Sequence, residues 1–557
     1  MNLPFITLLR QEFRGYNISA LQKDLLAGIT VGAVALPLAL AFGIASGADA
    51  AAGLVTAILA GILIGGLSGA PYQISGPTGA MSAVLIVLAS KYGLDGVWIA
   101  GVIAGILILL IGIFRLGRIV SFIPRAVVTG FTSGIAIIIF VGQVDNLLGV
   151  KTPPAENALA KIFNTIAWLL SNPSPGPNWE TILLGGIVIA TMFLMPKAIT
   201  KRVPGSLIGI ALAMGAALAL QFQVPVIGAI PRTLVLDNRL TLDTLITART
   251  WEHLPDLFVP ALSIAALGAI ESLLCGAVAG NMTGKKMDGD QELIAQGLGN
   301  IIIPFFGGVP ATAAIARTSV GVNSGGQTRL TSIFHAGFLL IAAFLLAPII
   351  GQIPMAALAG VLMVTAIRMN EWNEIRWMFR HRFKSAIAAF IVTMLATAAL
   401  DLTQAVIIGV ALSAMIFINQ ISAVDVSLSD VDVSILESRG IKLGGTHDHI
   451  RIAYLTGPMF FGSAATLRKA AEDLERDPKP VVILSMRGVP LLDVNGLEFI
   501  EEVWERQKKH DGTLMLCAVQ PAVKKILDRS KLTNEIGDEN FFWSADQAIL
   551  AASERGM

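Results

Sequence analysis

Between about Leu21 and Ile421, apolar stretches follow one another with only short polar breaks, and beyond Ser422 the pattern changes to short alternating elements. At about 20 residues per membrane-crossing helix, the first region holds roughly 12 to 14 spans. The clearest are Leu25–Ile44, Gly53–Gly69, Val97–Phe114, Ala126–Val144, Ile182–Met195, Leu207–Leu220, Ile333–Ile350, Ile387–Ala399 and Ala405–Ile418. In the second region His449–Leu455, Val481–Ser485 and Thr513–Ala518 read as strands, and Ala464–Glu475, Leu497–Lys508 and Ala522–Arg529 as helices, a small α/β domain. The division is therefore a short N-terminal segment (1–20), a transmembrane domain (21–421), a linker (422–445) and a soluble domain (446–557).

Two segments break the apolar pattern. Ile74–Val84 (ISGPTGAMSAV) and Gly307–Val320 (GGVPATAAIARTSV) lie one in each half of the apolar region, and each joins Gly and Pro to a short run of small residues. That is the signature of a half-helix whose free N–H groups point toward the membrane midplane, and a matched pair marks the substrate site of an inverted-repeat transporter. Each helix N-terminus carries about half a positive charge, so two aimed at one point favour an anion. Ordinary Gly/Pro kinks are the competing explanation.

Two charged side chains fall inside this apolar frame. Glu271 sits in the apolar run Leu257–Gly280 (LFVPALSIAALGAIESLLCGAVAG), which holds no other charge. A carboxylate at that depth costs at least about 2.5 kcal/mol, which marks it as a proton or ion site. Arg317 lies within the second half-helix, where a guanidinium needs a cavity, a partner or a bound anion. A structural ion pair between Arg317 and Glu271 satisfies the same pattern.

Composition changes the picture only by exclusion. Of 557 residues 54% are hydrophobic and 14% charged, beyond what a soluble core uses. The net charge of +1, with basic residues dispersed among loops, gives no footprint for nucleic acid. Cys275 and Cys517 lie in different environments and define neither a disulfide framework nor a metal cluster, and the six histidines have no metal spacing. No phosphate-loop lysine pattern and no Ser/His/Asp grouping occur, so the reading is of a transporter and not an enzyme, with no cofactor. Basic residues cluster in the breaks around Arg115, Arg118 and Arg125, around Lys197, Lys201 and Arg202, at Lys285 and Lys286, and from Arg368 to Lys384. With fourteen crossings all of these fall on the cytoplasmic side, as do the N-terminus and the soluble domain. There the basic loops can meet anionic membrane lipid.

The stretches LPLALAFGIA (Leu36–Ala45), ISGPTGAMSAV, PRAVVTGFTSGIAIIIFVGQVDNLLG (Pro124–Gly149), QELIAQGLGN (Gln291–Asn300) and FGGVPATAAIARTSVGVNSGG (Phe306–Gly326) resemble, in order and spacing, the SulP sulfate-permease family, solute carrier family 26 in animals. The C-terminal domain resembles the STAS domain that follows in that family. The resemblance implies an all-α polytopic domain built as a 7+7 inverted repeat of fourteen segments, divided into core and gate, with two half-helices, plus a small cytoplasmic α/β STAS domain. It also implies a homodimer and an elevator-like alternating-access mechanism in the cytoplasmic membrane, the inner membrane where there are two. Carried over by position, Phe42 walls the anion site, Thr78, Gly79 and Ala80 supply the first helix N-terminus, Ile315, Ala316 and Arg317 the second, and Glu271, with Cys275 one turn on, couples the ion.

Two positions depart from the family pattern. Thr78 stands where many animal members carry an aromatic residue, which implies a more polar pocket, and Ala316 stands where a serine is frequent. Symporters of the sodium-bicarbonate type pair an Asp with a hydroxyl one turn later, whereas this chain pairs Glu271 with a thiol, a poor ligand for a hard cation. Proton-coupled symport of sulfate, bicarbonate or a dicarboxylate is the reading. Sodium-coupled bicarbonate symport, anion exchange, and an anion sensor signalling through STAS are the alternatives. In the STAS domain the stretch Asp493-Val494-Asn495-Gly496 lacks the phosphorylatable hydroxyl of the anti-sigma antagonists, so a phosphoswitch is not expected.

Overall fold

The computed structural model describes residues 4–117, 124–153, 155, 157–171, 176–196, 199, 203–246, 248–400, 402–422, 424–433, 436 and 447–555. Arg118, Lys197, Lys201 and Arg202, four of the residues that orient the loops, lie outside them. The chain forms two compact units, Met1–Ala411 and Leu412–Met557.

The first unit is helical apart from two short strands, β1 (Ser75–Gly76) and β2 (Thr312–Ala313). Ile18–Ala45, Ala50–Leu67, Gly79–Ile113, Arg125–Leu148 and Pro255–Thr283 are long and apolar enough to cross a membrane, and Ala158–Ser171, Trp179–Leu194, Gly205–Ala219, Leu330–Leu345, Lys384–Ala399 and Ile408–Ile421 are shorter apolar helices. A further apolar helix, Met355–Met369, is buried on most of its face. The helix Gly79–Ile113 is broken once, at Gly93, whose φ of 69° and ψ of −174° end the first half-helix before the next span begins. A side chain is strained in that left-handed region, so the break needs glycine.

Small residues decide how closely these helices pack. The helix Gly79–Ile113 lies against Gly289–Ile302, and a Cβ added at Gly297 would come within 2.5 Å of the Leu109 nitrogen and 2.7 Å of the Gly105 oxygen. At Gly105 it would meet the Ile301 nitrogen at 2.8 Å. Backbone therefore rests on backbone, the contact that small residues allow where lipid supplies no hydrophobic drive between helices. One end of the bundle is closed by charge. Glu12, at the end of helix Pro4–Glu12, binds Arg329 through Oε2 to Nη2 at 2.6 Å and to Nε at 2.8 Å, with both side chains nearly fully buried. Asp24 accepts from the Gln327 and Thr328 nitrogens at 2.6 and 3.1 Å, from Thr331 Oγ1 at 3.0 Å and from Tyr16 at 2.8 Å.

The second unit is a five-stranded sheet in the order β3 (Asp425–Asp430), β4 (Ile450–Thr456), β5 (Val481–Gly488), β6 (Thr513–Cys517) and β7 (Phe541–Phe542). The pair β3–β4 is antiparallel and the others are parallel. Strand β3 lies inside the stretch expected as linker and forms the sheet edge. Central β5 (VVILSMRG) is buried on both faces, as parallel strands covered by helices are. Val482, Leu484 and Met486 pack with Leu467, Phe499 and Val503 of helices Ala464–Arg476 and Val494–Lys509, and Val481 and Ile483 with Ala548 and Ile549. Asp493 caps the helix Val494–Lys509 by accepting from the Gly496 nitrogen at 3.1 Å, so the position of the missing hydroxyl is a helix start held by a carboxylate.

Burial pushes the Cys517 thiol up to about 11, against smaller opposing effects of Ser485 and Arg487. At pH 8 only about one molecule in a thousand then carries the thiolate that reacts. A maleimide that labels the unfolded chain within minutes at pH 8 is expected to leave Cys517 of the folded protein unlabelled, as read by peptide mapping. Equal labelling of both forms would contradict this burial.

Candidate functional site

The strands β1 and β2 cross within the first unit and pair antiparallel, Ser75 opposite Ala313 and Gly76 opposite Thr312. Each runs directly into a helix, β1 into Gly79–Ile113 and β2 into Ile315–Asn323. The Gly/Pro breaks thus bring two helix N-termini to one pairing, and each end contributes a partial positive charge and free N–H donors.

The two ends differ in their caps. Thr78 caps the first: its Oγ1 accepts from the Met81 nitrogen at 3.3 Å and donates to Glu271 Oε2 at 3.1 Å. No side chain caps the second, which starts after Ala314, and Ile315 and Ala316 are exposed at its first turn. Gly79 and Ala80 are buried in the first turn of their helix, where a Cβ on Gly79 would stand 2.4 Å from Ile139 Cδ1 and 3.1 Å from Phe42 Cε1. Phe42 therefore packs on the helix start, and its carbonyl accepts from Ser46 and Ser82 Oγ at 2.7 and 3.1 Å.

Arg317 is 2% exposed, and its guanidinium lies across the crossing. Nη2 donates to the Pro77 carbonyl at 2.7 Å, and Nη1 is buried without a hydrogen-bond partner. A Cβ on Gly76 would come within 2.6 Å of Nη1, so only glycine at 76 lets the guanidinium reach across β1. Arg317 and Glu271 form no direct ion pair, since Glu271 is held by Thr78 and Arg317 by Pro77. Glu271 is half-buried, with part of its surface open beside the first helix end. Cys275 is fully buried and donates to Thr318 Oγ1 at 3.2 Å, and that oxygen also accepts from the Ile74 nitrogen at 3.0 Å. The thiol thus fastens the helix of Glu271 to the second half-helix.

Behind the crossing lies a buried carboxylate that the pattern of charges does not disclose. Glu292 follows Asp288 and Asp290 at a helix start and reads as one more surface acid, yet it is 0% exposed. Its Oε2 accepts from Ser68 Oγ and from the Gly69 nitrogen, and its Oε1 accepts from Gln73 Nε2 at 3.0 Å and Gln296 Nε2 at 2.9 Å. Gln296 also donates to Ser75 Oγ at 2.9 Å, and Gln73 to the Ser272 carbonyl at 3.0 Å, so the network fixes β1 to its neighbours. Glu292→Ala would take the acceptor from the Gly69 nitrogen and from one N–H each of Gln73 and Gln296, at about 1–3 kcal/mol for each that stays buried, while Ser68 can turn to the Ala70 carbonyl. The variant is expected to lose most of its folded yield, or to melt at least about 10 °C lower in detergent as followed by tryptophan fluorescence, with Glu292→Gln affected less. A melting curve matching wild type would remove Glu292 from the framework.

Among the described residues no group of three or more His, Cys, Asp or Glu side chains could hold a metal ion. The crossing thus brings together two helix ends, one guanidinium, and a carboxylate joined to one of the caps, a set of groups whose chemistry suits a small anion. Residues 21–396 match the Sulfate permease family and residues 445–548 the STAS domain. The chain belongs to the sulfate permease family and is an anion transporter with a C-terminal STAS domain. It is 35% identical to "Putative sulfate transporter YvdB" of Bacillus subtilis over 96% of this chain and 98% of that one. It is 28% identical to the bicarbonate transporter BicA of Synechocystis over 96% of this chain and 94% of that one. The fold matches the structure of SLC26A9 with a TM-score of 0.82 at 18% identity over 99% of this chain and 93% of that one. It matches the transmembrane domain of a cyanobacterial BicA with a TM-score of 0.61 at 28% identity over 72% of this chain and 98% of that one.

Proposed function

We propose that the chain is a secondary active transporter that carries sulfate, bicarbonate or a dicarboxylate across the cytoplasmic membrane together with a proton. The observation that carries this reading is the Thr78–Glu271 hydrogen bond at 3.1 Å, because it joins the proton-binding candidate to the cap of an anion-facing helix. Arg317 and the two helix ends make the site positive, and an ionised Glu271 offsets that charge. Protonation removes the offset, so proton and anion each favour the binding of the other, as reciprocal linkage requires. Phe42 closes the apolar side of the pocket, Thr78, Gly79 and Ala80 offer the first set of donors, and Ile315, Ala316 and Arg317 the second.

Movement of the crossing and its helices as one body past the remaining helices, in a homodimer, would expose the site alternately to each side. The buried Glu292 network supports such a body, since it ties β1 and helix Gly289–Ile302 together. The similarity to the bicarbonate transporter BicA supports bicarbonate as a cargo, as that to a putative sulfate transporter supports sulfate, and the second reading takes bicarbonate with sodium as the coupling ion. A sodium ion would find oxygen there from Glu271 and Thr78, and the thiol of Cys275, turned to Thr318, adds none. Anion exchange needs the same pocket without the coupling ion. A sensor role finds no support in the STAS helix start capped by Asp493.

Uptake of labelled sulfate, bicarbonate and succinate into proteoliposomes, with a proton gradient and separately a sodium gradient, tests the proposal. Accumulation of one anion with protons is the expected result. Sodium dependence transfers the chain to the second reading, and binding without uptake to the sensor.

A further inference from the structure

A groove of about 340 Å³ opens between helices Arg125–Gly142, Met355–Met369 and Lys384–Ala399, and none of the anion-site residues lines it. Its walls are apolar, with Ala136, Ile137, Phe140, Ile367, Phe390 and Met394 among them, and Phe140 is 39% exposed in a helix otherwise long and apolar enough to cross a membrane. It extends from Ser133 to Val141, about 12 Å of helix at about 1.5 Å per residue.

The other wall of the groove belongs to the short helix Trp372–Arg380, whose Trp372 and Ile375 line it. This helix carries exposed Trp372, Trp377 and Phe379, and Trp377 stacks on Phe383 with ring centres 5.0 Å apart. Tryptophan and basic residues on one short helix are the composition of a segment lying in the membrane interface. Its one acid, Glu374, pairs with Arg125 at 2.6 Å, and Glu371 just before it accepts from Thr129 Oγ1 at 2.6 Å. Arg376, Arg380, Arg382 and Lys384 are exposed, and no acidic side chain among the described residues pairs with them. The apolar slot is therefore walled in part by the helix that carries Arg376 and Arg380 and leads directly to Arg382 and Lys384, cations without an acidic partner among the described residues.

We propose that this groove binds one acyl chain of an anionic phospholipid, whose phosphate is held by Arg376, Arg380, Arg382 and Lys384. The two parts of the site have the two chemistries of that ligand, and basic clusters at a membrane surface attract anionic headgroups. The lipid then wedges the helices Arg125–Gly142 and Lys384–Ala399, which adjoin one another, and membrane lipid composition becomes a means of tuning how they pack.

The test uses the full chain in detergent, incubated with equimolar phosphatidylglycerol and phosphatidylcholine of identical acyl chains, and native mass spectrometry to count retained lipid. The wild type is expected to retain phosphatidylglycerol over phosphatidylcholine by about tenfold or more, in keeping with four basic side chains at one headgroup. The combined variant Arg376→Gln, Arg380→Gln, Arg382→Gln, Lys384→Gln should retain both equally, and Ala136→Leu should lose retention by filling the slot. Soluble glycerol phosphate should not displace the lipid. Equal retention by wild type, an unchanged preference in the four-glutamine variant, displacement by glycerol phosphate, or a lipid-free dimer occluding the groove would each overturn the proposal. The four exposed residues can be replaced without entering the core, so their arm decides the matter even if Ala136→Leu does not fold.

Discussion

Glu271→Gln is expected to reduce proton-driven accumulation of the transported anion to equilibration with the outside, while the protein still binds that anion. A gradient of about two pH units releases about 2.7 kcal/mol per proton, enough to sustain about hundredfold accumulation at one proton per anion. The substituted glutamine has the shape and charge of the protonated acid, and its amide oxygen can still accept from Thr78, so the cap of the first half-helix is preserved. What it lacks is the ionised state, and with it the cycle of taking up and releasing a proton. The measurement is the steady-state ratio of labelled anion inside to outside, with and without the gradient, alongside the dissociation constant of the same anion. Undiminished gradient-driven accumulation in Glu271→Gln would remove Glu271 from coupling. Loss of binding together with accumulation would make the carboxylate part of the anion pocket instead.

Much of this site could be read from residue order, because the signals are those that membrane burial makes expensive. Gly and Pro beside short runs of small residues predict an interruption or a kink, and the structure turns both into strands that pair, β1 with β2, before the helices at Gly79 and Ile315 begin. Glu271 and Arg317 stand out for the same reason, as isolated charges in apolar surroundings. Their partners were not legible. An ion pair between them satisfies the sequence equally well, and only the geometry separates Thr78–Glu271 from Arg317–Pro77.

Gly76 and Glu292 were hidden for opposite reasons. Glycine is frequent throughout the chain, so nothing singles out the one over which a guanidinium passes until the 2.6 Å approach of Arg317 Nη1 is known. Glu292 sits among other acids at a helix start, where charge is ordinary, and its burial comes from Gln73 and Ser68, far away in sequence. In the second unit the central strands were legible as apolar runs. β3 was not: its alternation DVSLSD is short and partly exposed, and it gains its place by pairing with β4 at the edge.

Arg317→Ala is expected to lower anion affinity and uptake by about thirtyfold or more while leaving the fold largely intact. Charge-assisted hydrogen bonds exceed neutral ones in strength, and removal of one partner from a desolvated charged pair costs about 2–5 kcal/mol, or roughly thirtyfold to several thousandfold. The protein itself engages only part of the guanidinium, through Nη2 and the Pro77 carbonyl, so little of the framework depends on it. A structural role predicts the reverse: a lower melting temperature, with normal uptake per folded molecule. Arg317→Lys should keep the charge and lose the forked donor geometry, giving an intermediate affinity and a weaker preference for oxyanions over chloride. Gly76→Ala reaches the same atoms from the other side. Its methyl would stand 2.6 Å from Nη1 and displace the guanidinium from the crossing, so affinity should fall even though Arg317 is retained. Titration of the same anion into the three variants and wild type, with melting curves on each, separates the two accounts. Wild-type affinity in folded Arg317→Ala would leave the two helix ends as the whole of the anion site.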